Sequence, residues 1–234
     1  MSWLTLDRGL ALAGLLIGLP GVLSLFLSAN ENLAIFAGIL GVILLGTAYV
    51  VRLVLNAAPY GIKKATVTLS FPNGVQTAVM CKQYKIVPNF RHLTQMEHKN
   101  IAADGTIRNI CWDDKPVPSG RIQQRLGEWE IKIDLPFQPR RWQEFQGKLS
   151  YECIDSFNGN PEALMYCVDF PTKQASIIVE FPNGRPCLSA EARKIQGSGE
   201  NPIQNPIISA DRQKLQLDLR RPTYGAQYIV YWTW

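Results

Sequence analysis

Lys63 to Gly74 reads KKATVTLSFPNG, and Lys173 to Gly184 reads KQASIIVEFPNG. In the first stretch Ala65, Val67, Leu69 and Phe71 alternate with Thr66, Thr68 and Ser70. One face is apolar and the other polar, the period-2 pattern of a half-buried strand, and Pro72-Asn73-Gly74 closes it with turn chemistry. Outward from these stretches the same alternation recurs. Trp129, Ile131, Ile133 and Leu135 interleave with Glu130, Lys132 and Asp134; Leu215, Leu217 and Leu219 interleave with Gln216 and Asp218; and the chain closes with Tyr228, Val230, Trp232 and Trp234 on one face. Asn158-Gly159-Asn160 and Gly197-Ser198-Gly199 separate these runs as turns. Beyond residue 60 a helical period is absent apart from a short helix expected within Arg91 to Asn100. The expectation is a mainly-β domain, an antiparallel sandwich or barrel.

The two opening stretches share half of their twelve positions. Ile131–Leu135 also resembles Leu215–Leu219, each followed by Pro, then Gly and a Tyr-bearing strand. Strand alternation with a Pro-Asn-Gly turn can recur through local physics alone, but duplication is the favoured reading. It divides the β region into a first unit over residues 59–171, with a polar insertion near His98 to Gly127, and a second over 172–234. The terminal aromatic run reads as a core strand, with a stacking surface as the alternative.

Before this region, Leu10 to Leu27 and Leu33 to Val51 carry no charge. Each run is about the ~20 residues a helix needs to cross a bilayer. An N-terminal transmembrane α-helical hairpin is therefore expected within residues 1–58, its helices at about 10–28 and 33–55. A secretory signal and a buried helical hairpin are the alternatives. The link Ser28 to Asn32 lacks Lys and Arg, whereas Arg8, Arg52, Lys63 and Lys64 flank the spans, so both termini are expected in the cytoplasm of a bacterial inner membrane. Gly14 and Gly18, Ala34 and Gly38, and Ala37 and Gly41 have the small-xxx-small spacing that lets helices pack or oligomerise. Five cysteines without a CxxC pair fit a reducing compartment; Cys153 and Cys167 would be the first pair to test for a disulfide outside it.

Signatures of catalysis are missing: no GxSxG, Walker loop, HExxH or strand-borne GxGxxG occurs. The expectation is a non-enzyme with no cofactor and no metal site. His92 and His98 read as parts of a solvated polar loop, and Asp113-Asp114 as surface. Clustered cations carry more information. Arg140-Arg141-Trp142 and Arg220-Arg221, with Arg121 and Arg125 as a further set, offer guanidinium forks that grip phosphate and stack on bases; the alternative is that they simply keep strand edges soluble. A net charge of +5, from 24 Lys and Arg against 19 Asp and Glu, is too dispersed for duplex nucleic acid.

Two N-terminal spans followed by a β-rich domain without a catalytic motif resemble the small two-transmembrane effectors of bacterial antiphage defence. That resemblance implies a cytosolic β domain sensing a nucleotide second messenger, such as a cyclic nucleotide, and homo-oligomerising hairpins that compromise the membrane. It brings no binding residues with it. The second reading is a non-catalytic anchor in a larger complex, its β units serving as protein-interaction modules.

Overall fold

The computed structural model describes residues 58–72, 74, 76–89, 93–102, 105–125 and 128–234. Among them the regular structure is strand, with one 3-10 turn at Ser119–Arg121. No helix of the described residues is long and apolar enough to cross a membrane. This corrects the expected fold class, a transmembrane α-helical hairpin plus a mainly-β domain, to mainly β for the described residues, and none of them carries the expected two-pass inner-membrane assignment. The physical reason within these residues lies in the patterning: strands that expose alternate residues present apolar surface on one face only, and that face is consumed by the core. The expected spans at 10–28 and 33–55, with their packing residues Gly14, Gly18, Ala34, Gly38 and Gly41, lie outside the described residues.

In chain order the strands are β1 (Tyr60–Ser70), β2 (Thr77–Pro88), β3 (Gln95–Ala102), β4 (Thr106–Trp112), β5 (Lys115–Pro116), β6 (Ile122–Arg125), β7 (Glu128–Asp134) and β8 (Phe145–Ile154). After them come β9 (Glu162–Cys167), β10 (Gln174–Glu180), β11 (Ser189–Gln196), β12 (Gly199–Pro202), β13 (Ile207–Ile208), β14 (Lys214–Arg220) and β15 (Gln227–Thr233). They form an eight-stranded sheet in the order β13-β14-β10-β1-β2-β8-β4-β5, a four-stranded sheet β12-β11-β15-β9, and a three-stranded sheet β3-β7-β6.

Strand β1 shows how local chemistry sets the fold. Tyr60 and Ile62 are buried, Lys63 and Lys64 are both exposed, and burial resumes at Ala65, Val67 and Leu69. The pairing with β2 shifts register between Ile62 and Lys64. This bulge resets the phase, so two apolar runs of opposite parity face the same core. At the centre of the large sheet β1 pairs with β10 in parallel, from Ala65 opposite Ala175 to Ser70 opposite Glu180. The positions matched in the sequence echo are thus the ones that face each other. Both copies end at a glycine with φ +85°, Gly74 and Gly184, a conformation that disfavours any residue with a Cβ. The second echo has a different fate: β14 pairs with β10, whereas β7 pairs with β3 and β6. Both sequence units therefore contribute to one sheet.

Apolar residues of all three sheets merge into one core. Phe71 and Phe181, which follow the two echoed strands, both pack on Trp234, with ring centroids 5.1 and 6.0 Å away, and Phe181 also meets Trp232 at 6.0 Å. The aromatic C-terminus is accordingly an interior strand, β15, between β11 and β9. At the other half His98 of β3 lies 5.2 Å from the ring of Tyr84 on β2 and 6.0 Å from Trp112 on β4. The short helix expected within Arg91–Asn100 is corrected: Gln95 onward is β3, because pairing with β7 buries Met96 and His98 on one face. His98 is thus buried, not in a solvated loop, while His92 lies outside the described residues. Cys153 and Cys167 lie on strands of different sheets, and all five thiols are free.

Candidate functional site

Side chains of the large sheet that point away from the core line up in rows across its outer face. Arg220 stands opposite Gln174, Lys64 precedes the Ala65–Ala175 pair just as Gln174 does, Lys64 stands opposite Lys85, and Lys85 opposite Gln146. Each is followed by a buried residue or, for Arg220 and Lys64, is flanked by one, so all five share the solvent face. The row crosses five strands, about 19 Å at the usual strand spacing. It contains three cations, two amides and no carboxylate. One row further in, Asp218 accepts from Ser176 Oγ at 2.6 Å and from Gln216 Nε2 at 2.9 Å, and Lys148 pairs with Asp114 at 2.9 Å. Those charges are already engaged within the protein.

The arginines singled out by sequence sit at the same end of this sheet. The Trp142 N–H donates to the Pro88 carbonyl, at the end of β2, at 3.0 Å, and the Arg221 N–H donates to the Lys173 carbonyl, at the head of β10, at 2.8 Å. Their anchors are two strand spacings apart, about 10 Å. Trp142 is 61% exposed, and the Arg141 guanidinium lies over its ring at 4.8 Å. Trp142 and Arg221 have φ of +65° and +49°, uncommon for residues with a Cβ. Arg140 is exposed, and its carbonyl accepts from the Gln143 N–H at 2.9 Å. Glu144 bridges Lys63 and Lys85, each at 2.6 Å. Arg121 pairs with Asp134 at 2.8 Å and takes no part in the row, while the Arg125 side chain lies outside the described residues.

A second cluster lies on the inner face of the same sheet. Along β2, Ala78, Met80, Tyr84 and Ile86 are buried, and Lys82 occupies the same phase. Its ammonium sits 5.8 Å from the centre of the Tyr151 ring, and none of the described ion pairs includes it. Burial pushes the Lys82 amine below its ordinary range, opposed by Cys167, Asp169 and Cys153. Burial also lowers His98 to about 3, helped by the positive charge of Lys82. The Nδ1 of His98 lies 3.5 Å from the Tyr84 hydroxyl, and its Nε2 has no hydrogen-bond partner among the described residues. The thiols of Cys153 and Cys167 are raised to about 11, chiefly by burial, so they stay protonated at neutral pH and are poor nucleophiles. Among the described residues no three His, Cys, Asp or Glu side chains converge as metal ligands. Lys82 is the residue that reading for motifs passed over; its signal was a charge in the apolar phase of TAVMCKQYKIVP.

No family model matches the chain, and no curated protein matches it. Among solved structures, the M1 zinc metallopeptidase of Deinococcus radiodurans aligns over 74% of this chain and 42% of its own, at 13% identity and a TM-score of 0.40. Native leukotriene A4 hydrolase from Saccharomyces cerevisiae aligns over 74% and 29%, at 8% identity and a TM-score of 0.42. A putative protease from Parabacteroides distasonis aligns over 76% and 41%, at 11% identity and a TM-score of 0.38. This chain spans less than half the length of each. Likeness at this level transfers no activity to it.

Proposed function

We propose that the chain is a non-catalytic binding module that takes a phosphate-bearing anion on the outer face of its large sheet. The observation that carries this reading is the Arg220–Gln174–Lys64–Lys85 row, in which neighbouring strands present cations and amide donors to solvent and a carboxylate, Glu144, reaches the row at Lys85. Like charges on adjacent strands repel, and an anion laid across them relieves that repulsion. Guanidinium and ammonium donors make charge-assisted bonds to phosphate oxygens. Trp142, with Arg141 over its ring, adds an aromatic surface on the flank where a base can stack. A cyclic nucleotide combines both requirements and is the first probe.

Calorimetric titration with a panel of cyclic mononucleotides and dinucleotides, and with pyrophosphate, tests the reading. Saturable binding that weakens with added salt, and by at least tenfold in the triple variant Lys64→Gln, Lys85→Gln, Arg220→Gln, is the expected result. No binding across the panel, or binding indifferent to the triple variant, would refute it. A second reading, docking of a protein partner, draws on Ile207, which is 71% exposed on the edge strand β13; an Ile207→Ser variant that loses a partner while keeping anion affinity would favour it.

A further inference from the structure

We propose that the cavity beside Lys82 binds a small amphipathic carboxylate, its head group on the Lys82 ammonium and its apolar body against the side chains between the sheets. This site lies on the opposite face of the sheet from the basic row and is independent of it.

The cavity measures about 330 Å³ and is lined by Met80, Lys82, Cys153, Leu164, Met165 and Ile229 among others. That volume lies within the range of small-molecule sites, about 300–1,000 Å³. Its walls mix apolar side chains with polar ones, Ser156, Glu162 and Tyr231 among them, and Lys82 is the one cation in the lining, so the site offers both a charged end and an apolar surface to an amphipathic ligand. The lysine is not a surface residue folded inward: it holds an inward position between Met80 and Tyr84, with its ammonium near the Tyr151 ring. The side chain is half-buried, and a partly desolvated cation gains from a counter-charge. Glu162 also lines the cavity, but its Oε1 accepts the Gly159 N–H, which holds that carboxylate against the loop after β8. A ligand carboxylate supplies an ion-pair partner for Lys82, and Met80, Leu164, Met165 and Ile229 offer contact to its apolar body.

One consequence separates this site from nonspecific uptake of a fatty chain. Burial makes the Lys82 amine easier to deprotonate, and an anion placed beside it reverses that effect. Carboxylate binding is therefore accompanied by proton uptake where the pH approaches the lowered pKa of the free Lys82 amine, whereas binding of a neutral alcohol of equal length is not.

The test is calorimetric titration of the full chain with decanoate below its micelle concentration, and with decanol, in two buffers of different ionisation heat. Decanoate is expected to bind saturably with proton uptake. Lys82→Met, whose thermal melting reports that it folds, is expected to weaken decanoate at least tenfold, abolish the proton uptake and leave decanol unchanged. Met165→Trp keeps the lysine but fills the cavity, and it is expected to weaken both ligands. Decanoate affinity in the triple row variant should equal that of the wild type. The proposal is overturned if the wild type shows no saturable decanoate binding, if Lys82→Met binds it equally well, or if the row variant rather than Lys82→Met loses it. In that last case the carboxylate sits on the outer face.

Discussion

Lys82 and Lys85 stand three residues apart on β2, yet one faces the packed interior and the other a solvated row of cations and amides. The strand alternates sides at every residue, so an odd spacing separates two solvents. On the outer face a lysine is ordinary, and its charge is available to a ligand or, as at Glu144, to a neighbour. On the inner face the same side chain lacks an ion-pair partner among the described residues and costs stability. The contrast teaches that function in this sheet is to be sought in rows on one side and in exceptions on the other.

The comparison can be broken most forcefully from the inside. Trp232 is 1% exposed and touches the rings of Phe157, Phe181 and Trp234. Trp232→Ala should cost about 3–5 kcal/mol in chemical denaturation; a loss below about 1 kcal/mol would mean that the inner face is not the main source of stability.

Acid is the next lever. In the unfolded chain His98 titrates near its ordinary value of 6.5, and in the folded chain at about 3. Between those values the unfolded state binds more protons, so stability falls as pH drops from 6.5 toward 3, by about 1.4 kcal/mol per unit and about 3 kcal/mol by pH 4. Urea titrations of wild type and His98→Phe across this range should show the steeper acid loss in the wild type only. Parallel curves would place His98 in water.

Smaller again is the effect of a single methyl group. A Cβ on Gly147 would lie 2.1 Å from the Trp112 ring, so Gly147→Ala should overpack the inner face and cost about 1–3 kcal/mol in the same assay. The smallest effect belongs to the outer face. Lys64→Gln and Lys85→Gln should each change stability by no more than about 0.5 kcal/mol, because the first is exposed and the second loses only a partly exposed ion pair to Glu144. A larger loss in thermal melting would show that the row holds the sheet together rather than waiting for a ligand.

Much of the strand content was legible because burial on one face leaves a period of two, as at Ala65–Phe71, Trp129–Leu135 and Leu215–Leu219. Which strands share a sheet was not. Ile131–Leu135 and Leu215–Leu219 look alike, but their neighbours differ, since pairing depends on chain segments far away in sequence. Gln95–Ala102 escaped recognition because His98 and Glu97 read as polar, and burial of a neutral imidazole cannot be distinguished from solvation by residue type. Arg140, Arg141, Trp142, Arg220 and Arg221 drew attention by composition alone. Their common end of the sheet, and the part played by Lys64, Lys85 and Gln174, come from register, which single residues do not encode. Lys82 was legible in principle, as a break in an apolar phase.

The central seam between β1 and β10 has a consequence for how the chain is made. Parallel neighbours cannot be joined by a tight hairpin, and here the two strands are separated by residues 71–173. At about 5–20 residues per second, a ribosome takes several seconds or more to deliver β10 after β1 has emerged. Throughout that interval one edge of β1 lacks its native neighbour and is open to mispairing with other nascent chains. Synthesis that stalls before Lys173 should therefore leave an aggregating fragment rather than a smaller folded domain, and a chaperone that shields strand edges would act on this protein early, before its C-terminal tryptophans arrive.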